Sequence, residues 1–415
     1  MNITDSNKFK RVLILTQYFE PEPGAPQIRL SAMIKELRKQ DITVEVITSF
    51  PSYPLGKVQK EYRGKFHLIE KINGVVIRRF WSYPASGRNI LKRLLCYLSF
   101  MFSSSVPLLF SRRPDIVFVE AQPIILAIPA FLMKLFRGVP YIYNTPDLQI
   151  EHAEDDKWIT ITSLINFAKF LESFLMKQSL SVTTVTDAFK IHFSKYRDIK
   201  LSKITMLPNG ADVHNLHPMP FDISLAKKFE VGNRKVITFA GTHAHYQGLE
   251  IIIKVAELLK KRKDIVFLMI GNGPVREELI KLASDKKLTN ILFKQSPIEE
   301  MVNLMSITYV SLVVIRDIPI SRKMRLSKAI PPISCGVPVI YSGYGETPKI
   351  FLRHNAGLQV EPEDPLKLAE TIVNIVDNPR LRDTLSINAR KLALDKFSWE
   401  KIVSDWIYQI NNLPD

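Results

Sequence analysis

The chain has 415 residues, 46% of them apolar and 24% charged, with 57 Lys and Arg against 41 Asp and Glu and a formal net charge of +16. Such a length holds two or three domains, and the apolar share excludes disorder as the main state. Two cysteines, Cys96 and Cys335, exclude a disulfide framework and a cysteine-rich zinc site and fit a reducing compartment, and with only 16 glycines any glycine-dependent anion loop should stand out.

Short aliphatic runs alternate with longer helical patterns from the start. Residues 11–17 read as a buried strand, followed by a Pro/Gly loop and a helix over 27–40. Runs at 43–49, 75–81, 115–120, 141–145, 182–186 and 204–210 continue the strand series. The pattern restarts with strands at 236–242, 265–273, 290–294, 310–315 and 337–343, separated by helices at 249–262, 277–284 and 299–307; beyond 343 the chain reads as helical. Strands with near-continuous apolar cores, separated by helices, mean parallel sheets covered on both faces. The Pro-containing segment 215–235 lacks strand periodicity and reads as the domain boundary. The expected organisation is α/β: a Rossmann-like domain over 1–215, a second over 216–395, and a terminal helix in 396–415 returning to the first. Ligands of two such doubly wound sheets are expected in a cleft between them, outside the carboxyl ends of the strands. The N-terminal apolar run, Val12 to Leu15, is too short for a signal peptide, so a cytoplasmic protein is expected.

The charge is uneven. Residues 51–113 hold 12 basic and 2 acidic residues, a net +10, and the seventeen residues Leu94 to Phe110 carry no charge. Lys92 and Arg93 precede that stretch, and Arg112 and Arg113 follow it. Three readings compete: a membrane span, a plain buried helix, and a helix packed on its domain that also dips into an anionic membrane surface. Ser99, Ser103, Ser104, Ser105 and Pro107 speak against a span. Basic flanks around exposed aliphatic and aromatic side chains favour the surface-bound helix. Nucleic acid is not expected, because no stacking stripe and no nucleic-acid module motif is present.

Several loops carry candidate chemistry. Gly24, in EPEPGAPQIR (20–29), lets backbone approach an anion at a helix start; the alternative is a structural turn. GNGP (271–274) ends a strand and opens a helix. LPNGAD (207–212) ends the first strand series, either as an Asn-Gly turn or as a ligand-facing wall carrying Asn209. Residues 315–347 gather Arg316, Arg322, Lys323, Arg325 and Lys328 just after a strand end, a cation set suited to a diphosphate; a solvated basic surface is the alternative. Glu346 stands where it could accept hydrogen bonds from hydroxyls, or simply favour a helix N-terminus. There is no phosphate-loop lysine motif, no G-x-G-x-x-G after the first strand and no H-E-x-x-H, and the eight histidines show no ligand spacing, so no metal site is expected. Glu154-Asp155-Asp156 reads as solvated rather than as a metal clamp.

In order along the chain, RVLILTQYFEPEPGA, YIYNTPDLQIE (141–151), LPNGAD, FAGTHAHYQGL (239–249), MIGNGP, SCGVPVI, YSGYGET, NAGLQVEPEDP (355–365) and FSWEKIV (397–403) resemble the group-1 glycosyltransferases of the GT-B fold. Nearest in pattern are the fucosamine-type transferases of O-antigen and capsule synthesis. The resemblance spans nearly the whole chain. It implies metal-independent transfer, with retention, of a hexosyl or N-acetylaminosugar group from a nucleotide sugar, UDP-linked, to a lipid-linked or glycan acceptor. No cofactor is implied. It also implies roles: Gly24 facing donor and acceptor, Asp147 near the reacting centre, and Gly241, Gly271 and Gly273 lining the donor pocket with Asn209. Ser327 and Lys328 match a family pair with the lysine on the diphosphate, and Glu346 contacts donor or acceptor; Asp147, Lys328 and Glu346 form the expected catalytic set.

The chain departs from the family pattern at Pro331, where relatives carry an acid that grips the donor ribose, and at Thr242 and Gln247, where a basic pair is usual. Pro146 replaces a frequent His or Arg. Arg322 and Arg325 are expected to compensate at the diphosphate. A non-catalytic GT-B-like binding protein and a sugar-nucleotide epimerase or hydrolase are the alternatives. The expected place of action is the cytoplasmic face of an anionic membrane.

Overall fold

A computed structural model describes residues 8–22, 24–53, 55–85, 89–155, 161–297, 300–319 and 321–414. The chain forms two compact units, 1–208 with 402–415, and 209–401. Asp156 and Pro23, both in stretches singled out above, lie outside the described residues.

The first unit runs β1 (Arg11–Leu15), α1 (Ala25–Lys39), β2 (Thr43–Ser49), β3 (His67–Ile72), β4 (Val75–Phe80), α2 (Ile90–Phe110), β5 (Ile116–Glu120), α3 (Ala127–Arg137), β6 (Tyr141–Asn144), α4 (Gln149–Asp155), α5 (Thr162–Gln178), β7 (Ser181–Thr184), α6 (Asp187–Arg197) and β8 (Ile204–Met206). Its sheet has the order β3-β4-β2-β1-β5-β6-β7-β8. All neighbours are parallel except β3, which forms an antiparallel hairpin with β4. The sequence reading has no strand at β3. Its six residues alternate half-buried with exposed, as befits an edge, and carry His67, Glu70 and Lys71. The signal passed over was the turn: Asn73 and Gly74 both take positive φ (50° and 79°), the turn chemistry of a tight hairpin.

The second unit runs α7 (Ile223–Lys228), β9 (Lys235–Ala240), α8 (Glu250–Leu258), β10 (Ile265–Ile270), α9 (Arg276–Asp285), β11 (Ile291–Lys294), α10 (Met301–Ile307), β12 (Val310–Val314), α11 (Ile330–Ser334), β13 (Val339–Ser342), α12 (Glu346–Arg353), β14 (Gly357–Val360), α13 (Pro365–Asp377) and α14 (Pro379–Leu392). Its fully parallel sheet, β11-β10-β9-β12-β13-β14, reverses direction beside β9, the doubly wound topology. Every residue of β10 and β12 is buried, which is why β10 reads as an unbroken apolar run and β12 as one broken only by Ser311. β14 was absent from the sequence reading because it has four residues, two of them half-buried.

The units divide at Pro208, ahead of the Pro-containing segment chosen from sequence. Asn209 onward joins the second unit because Ala211 forms a bridge to Ser398, with Ala211 N–H donating to the Phe397 carbonyl at 2.8 Å. The last helix, α15 (Trp399–Asn411), belongs to the first unit from Ile402. Its Trp406 is buried, stands edge-on to Phe118 at 5.6 Å between ring centres and donates Nε1–H to Thr183 Oγ1 at 3.2 Å. Gln409 Oε1 accepts from Met206 N–H at 2.8 Å, at the edge strand β8. Trp406→Ala should therefore destabilise the first unit by about 3–5 kcal/mol, read from urea unfolding, as expected for an emptied aromatic core site; a loss below about 1 kcal/mol would mean that the helix is not part of that core.

Candidate active site

In the second unit, the loops leaving β9 and β10 are interlocked. Gly241 N–H donates to the Ile270 carbonyl at 3.0 Å, and His243 N–H to the Asn272 carbonyl at 2.9 Å. Gly271 and Gly273 have φ of 134° and 155°, and a Cβ on either would overlap main chain: the Gly241 carbonyl for Gly271, the His243 carbonyl for Gly273. These glycines thus serve backbone-to-backbone packing of two loops, not only an open approach for a ligand. Beside Gly241 lies the Lys328 side chain, 3.2 Å from where a Gly241 Cβ would stand. Its Nζ is buried without a hydrogen-bond partner, 5.1 Å from the centre of the Phe239 ring. Burial pushes its pKa down to about 7.

The other cations of this region are engaged. Arg316 pairs with Glu250 and lies 3.9 Å from Glu363. Arg322, exposed, holds Asp317 with two bonds of 2.7 and 2.6 Å and lies over the Tyr344 ring at 4.7 Å. Arg325 is buried on the Phe397 ring at 4.8 Å and stands 4.0 Å from Glu346. The structure thus places Arg322 and Arg325 in ion pairs, and Lys323 is half-buried in the same turn, whereas the Lys328 ammonium has no carboxylate partner among the described residues. Ser327 is exposed in the short turn before α11, and Pro331 occupies the first turn of that helix, where a missing N–H costs nothing. Glu346 opens α12, after Gly345 at φ 123°. Asn209 is half-buried in the loop after β8.

In the first unit, the loop before Gly24 is stapled to the end of β2. Buried Glu22 accepts from the N–H groups of Ser52 and Tyr53, both at 2.8 Å, and of Phe19 at 3.3 Å; burial raises its pKa. Fully buried Arg79 binds the Glu20 carbonyl and Glu70. Gly24 caps α1, and a Cβ there would overlap Gln27 Oε1. Asp147 lies between β6 and α4, accepts from Leu148 N–H at 2.9 Å, and its other oxygen stands 3.3 Å from His152 Nδ1. Glu151 anchors α4 through Arg197 at 2.7 Å and His192 at 3.0 Å. Burial alone would raise its pKa, but those partners outweigh it and hold the carboxyl down at about 2. At the ends of β5 and β6, buried Glu120 binds Arg29 at 2.7 Å and Asn144 at 2.8 Å.

Two sequence models match the chain in succession: a glycosyl transferase 4-like domain over residues 24–210 and glycosyl transferases group 1 over 221–392. The chain belongs to the group 1 glycosyltransferases. It is 24% identical over 295 residues to WcaI of Escherichia coli, named for colanic acid biosynthesis, covering 68% of this chain and 71% of that one. A GDP-mannose-dependent phosphatidylinositol monomannoside mannosyltransferase of Mycolicibacterium smegmatis is 23% identical over 46% of this chain and 52% of its own. Among solved structures, HepE of Anabaena, in complex with UDP and glucose, superposes with a TM-score of 0.72 at 16% identity, covering 98% of this chain and all of that one. WaaG, a glycosyltransferase of lipopolysaccharide biosynthesis, gives 0.66 at 14% identity over 97% and 100%. The fold is GT-B.

Within this glycosyltransferase, sequence reasoning placed Lys328 but missed His243, His152 and Glu151. Only Glu151 had a signal, four residues beyond Asp147 and so one helical turn away. His243 gives none, because nothing in its spacing distinguishes it from the seven other histidines.

The α2 helix has two different faces. Cys96, Phe100, Met101, Ser104 and Leu108 are buried on the unit, whereas Leu91, Leu95, Phe102, Val106 and Phe110 are exposed, Phe110 at 84%. By length and composition α2 could cross a membrane. Its serines instead tie it to its own unit: Ser99 Oγ accepts from Tyr83 N–H at 2.8 Å and Ser103 Oγ donates to the Trp81 carbonyl at 2.6 Å. Lys92, Arg112 and Arg113 are exposed, while Arg93 is half-buried against Tyr97 at 2.8 Å.

The buried ammonium makes a testable demand on stability. A folded-state pKa near 7 against an unfolded value of 10.5 means that the unfolded chain binds more protons between those limits, so the penalty is full below pH 7 and fades as pH rises. Lys328→Met should raise the melting temperature, more at pH 6.5 than at pH 9, with the difference growing by up to about 1.4 kcal/mol per pH unit. An equal effect at both pH values would show that the ammonium is not desolvated.

Proposed function

We propose that this glycosyltransferase moves a hexosyl or N-acetylaminosugar group, with retention and without a metal, from a nucleotide sugar, UDP-linked, to a lipid-linked or glycan acceptor in cell-surface polysaccharide assembly. The observation that carries the donor side is the buried, partnerless Lys328 ammonium at the interlocked loops of β9 and β10. A diphosphate would supply the counter-charge that the protein withholds. As the bond to the sugar breaks, negative charge grows on the departing diphosphate, and a cation already stripped of water stabilises it without reorganisation. Glu346, at the head of α12 and near Arg325, is the candidate for sugar hydroxyls. Asp147, with His152, is the candidate acceptor-side group. The departing diphosphate takes the acceptor proton as the new bond forms on the same face.

Relatives support the choice of substrates. The HepE complex holds UDP and glucose, and the mycobacterial relative acts on a phosphatidylinositol mannoside. For the membrane side, the support is the exposed apolar face of α2 between basic ends, beside an open concavity of about 500 Å³ lined by Leu109, Phe110, Phe136 and Arg137. The protein would work at the cytoplasmic face, held peripherally on anionic lipid.

Incubation with a panel of sugar nucleotides should release nucleotide only when a lipid extract or glycan acceptor is added. Turnover without any acceptor would point to a hydrolase or epimerase, and no turnover with any donor to a binding protein. Lys328→Met should weaken binding of the productive donor about 10- to 100-fold, the worth of a charge-assisted bond. On vesicles containing phosphatidylglycerol, replacing Lys92, Arg93, Arg112 and Arg113 together by Gln should abolish sedimentation with lipid at 0.1 M salt while nucleotide affinity stays unchanged. Undiminished vesicle binding would remove the membrane from the reading.

A further inference from the structure

We infer that His243 is a second proton-accepting group of the anion pocket, so that a diphosphate enters with uptake of protons onto both Lys328 and His243. The inference rests on the donor reading above and adds to it a residue and a coupling.

His243 is fully buried, and among the described residues neither ring nitrogen has a hydrogen-bond partner. An imidazole left so costs folding free energy that an aliphatic side chain of similar size would not. Nor can the ring swing out to find water easily, because its backbone is fixed on both sides. Its N–H donates to Asn272, its carbonyl accepts from Val275 N–H at 3.2 Å, and Gly273 packs against that same carbonyl. Phe239 links it to the lysine: the ring centre of Phe239 lies 5.1 Å from Lys328 Nζ and 5.9 Å from the His243 ring, and Phe293 stands edge-on to His243 at 6.4 Å.

The charged groups that bear on the ring are both cations, Arg276 at the head of α9 and Lys328. Arg276 Nη1 meets Glu277 at 3.0 Å, while its Nε is buried without a partner. Burial first, then Arg276, hold the His243 pKa below the ordinary imidazole value; the Ile270 carbonyl pulls the other way and Lys328 adds to the lowering. The pocket therefore presents donors, potential donors and aromatic carbon. An acceptor-rich anion is what completes such a set, and a diphosphate has oxygens enough for both an ammonium and an imidazolium. Its charge favours the protonated form of each group, so each takes one proton from the solvent, and no covalent bond changes.

Titration calorimetry of the full chain with UDP, GDP and inorganic pyrophosphate, at pH 8 in two buffers of different ionisation enthalpy, counts the protons. The wild type should take up between one and two more protons than the ligand alone accounts for. His243→Leu should take up about one fewer and bind about 5- to 30-fold more weakly, with an unchanged melting temperature or a higher one. As a second check, the imidazole carbons of histidine-labelled wild type should show one ring moving from neutral to protonated as pyrophosphate is added, the signal being assigned by its loss in His243→Gln. Nucleotide binding with uptake unchanged in His243→Leu and no ring shift overturns the inference and leaves the donor reading standing. Pyrophosphate binding with His243-dependent uptake, but no binding of any nucleotide, upholds the pocket and overturns the nucleotide donor. Failure to bind any of the three overturns both.

Discussion

Keeping an ammonium out of water with no carboxylate beside it is the constraint on which the second unit turns. Desolvating such a charge costs several kcal/mol, and proteins ordinarily relieve the cost with a partner. Here relief is denied by geometry. The loops after β9 and β10 pack main chain to main chain through Gly241, Gly271 and Gly273, so no side chain fits between them. Carboxylates of the same region are held by other cations, Asp317 by Arg322 and Glu250 by Arg316. The energy to hold the pocket in this state comes from the surrounding core, where alternate side chains of β9, β10 and β12 pack against α8 and α13 on one face and against other helices of the unit on the opposite face. A site left electrically incomplete is also one that an anion completes, so the same burial that costs stability favours binding.

The first unit solves the opposite problem. Its buried ionic groups are paired: Arg79 with Glu70 and two carbonyls, Arg29 with Glu120, Arg197 with Glu172 and Glu151. Arg79 reaches from β4 to the Glu20 carbonyl ahead of Gly24, and Arg197 reaches from the end of α6 to Glu151 in the helix after Asp147, so these pairs fix the two candidate segments from neighbouring elements. What this unit leaves incomplete is apolar rather than ionic. The outer face of α2 carries exposed leucines and phenylalanines that no element of the unit covers, while its inner face and serines fix it in place. One unit is thus unfinished in charge and the other in apolar surface. That division is what would be expected if one of them meets phosphate and the other lipid.

Much of the architecture was legible because buried parallel strands leave a coarse mark. IVFLMI is apolar at every position and VSLVV at all but Ser311, and the alternation of such runs with helices fixes the class. What escaped was local and small. β3 is an edge strand with no buried residue, its outward side mixing His67, Ile69 and Lys71, and only its Asn-Gly turn announced it. β14 is too short to show a period. Within the site, Lys328 was readable because it follows a strand end in a recognisable block. His243 was not, since burial of a lone histidine depends on how two distant loops meet, and no spacing in the chain encodes that. The glycines were placed correctly at the loops, but their principal work, allowing two backbones to touch, is a property of the pair and invisible in either loop alone.

Charge shows most plainly why a count of residues is not yet a site. Between Arg316 and Lys328 the sequence offers five cations, and any of them would suit a diphosphate. Three are already neutralised, by Glu250, Asp317 and Glu346, and an exposed or paired guanidinium gains little from one more anion because water and its carboxylate have satisfied it. The ammonium of Lys328 differs in having been dried and left alone. Its worth to a ligand comes from that history rather than from its formal charge, which it shares with every other lysine in the chain. By the same reasoning a neutral, buried histidine can matter more to an incoming anion than an arginine on the surface, because the anion's field acts on it through aromatic carbon instead of water.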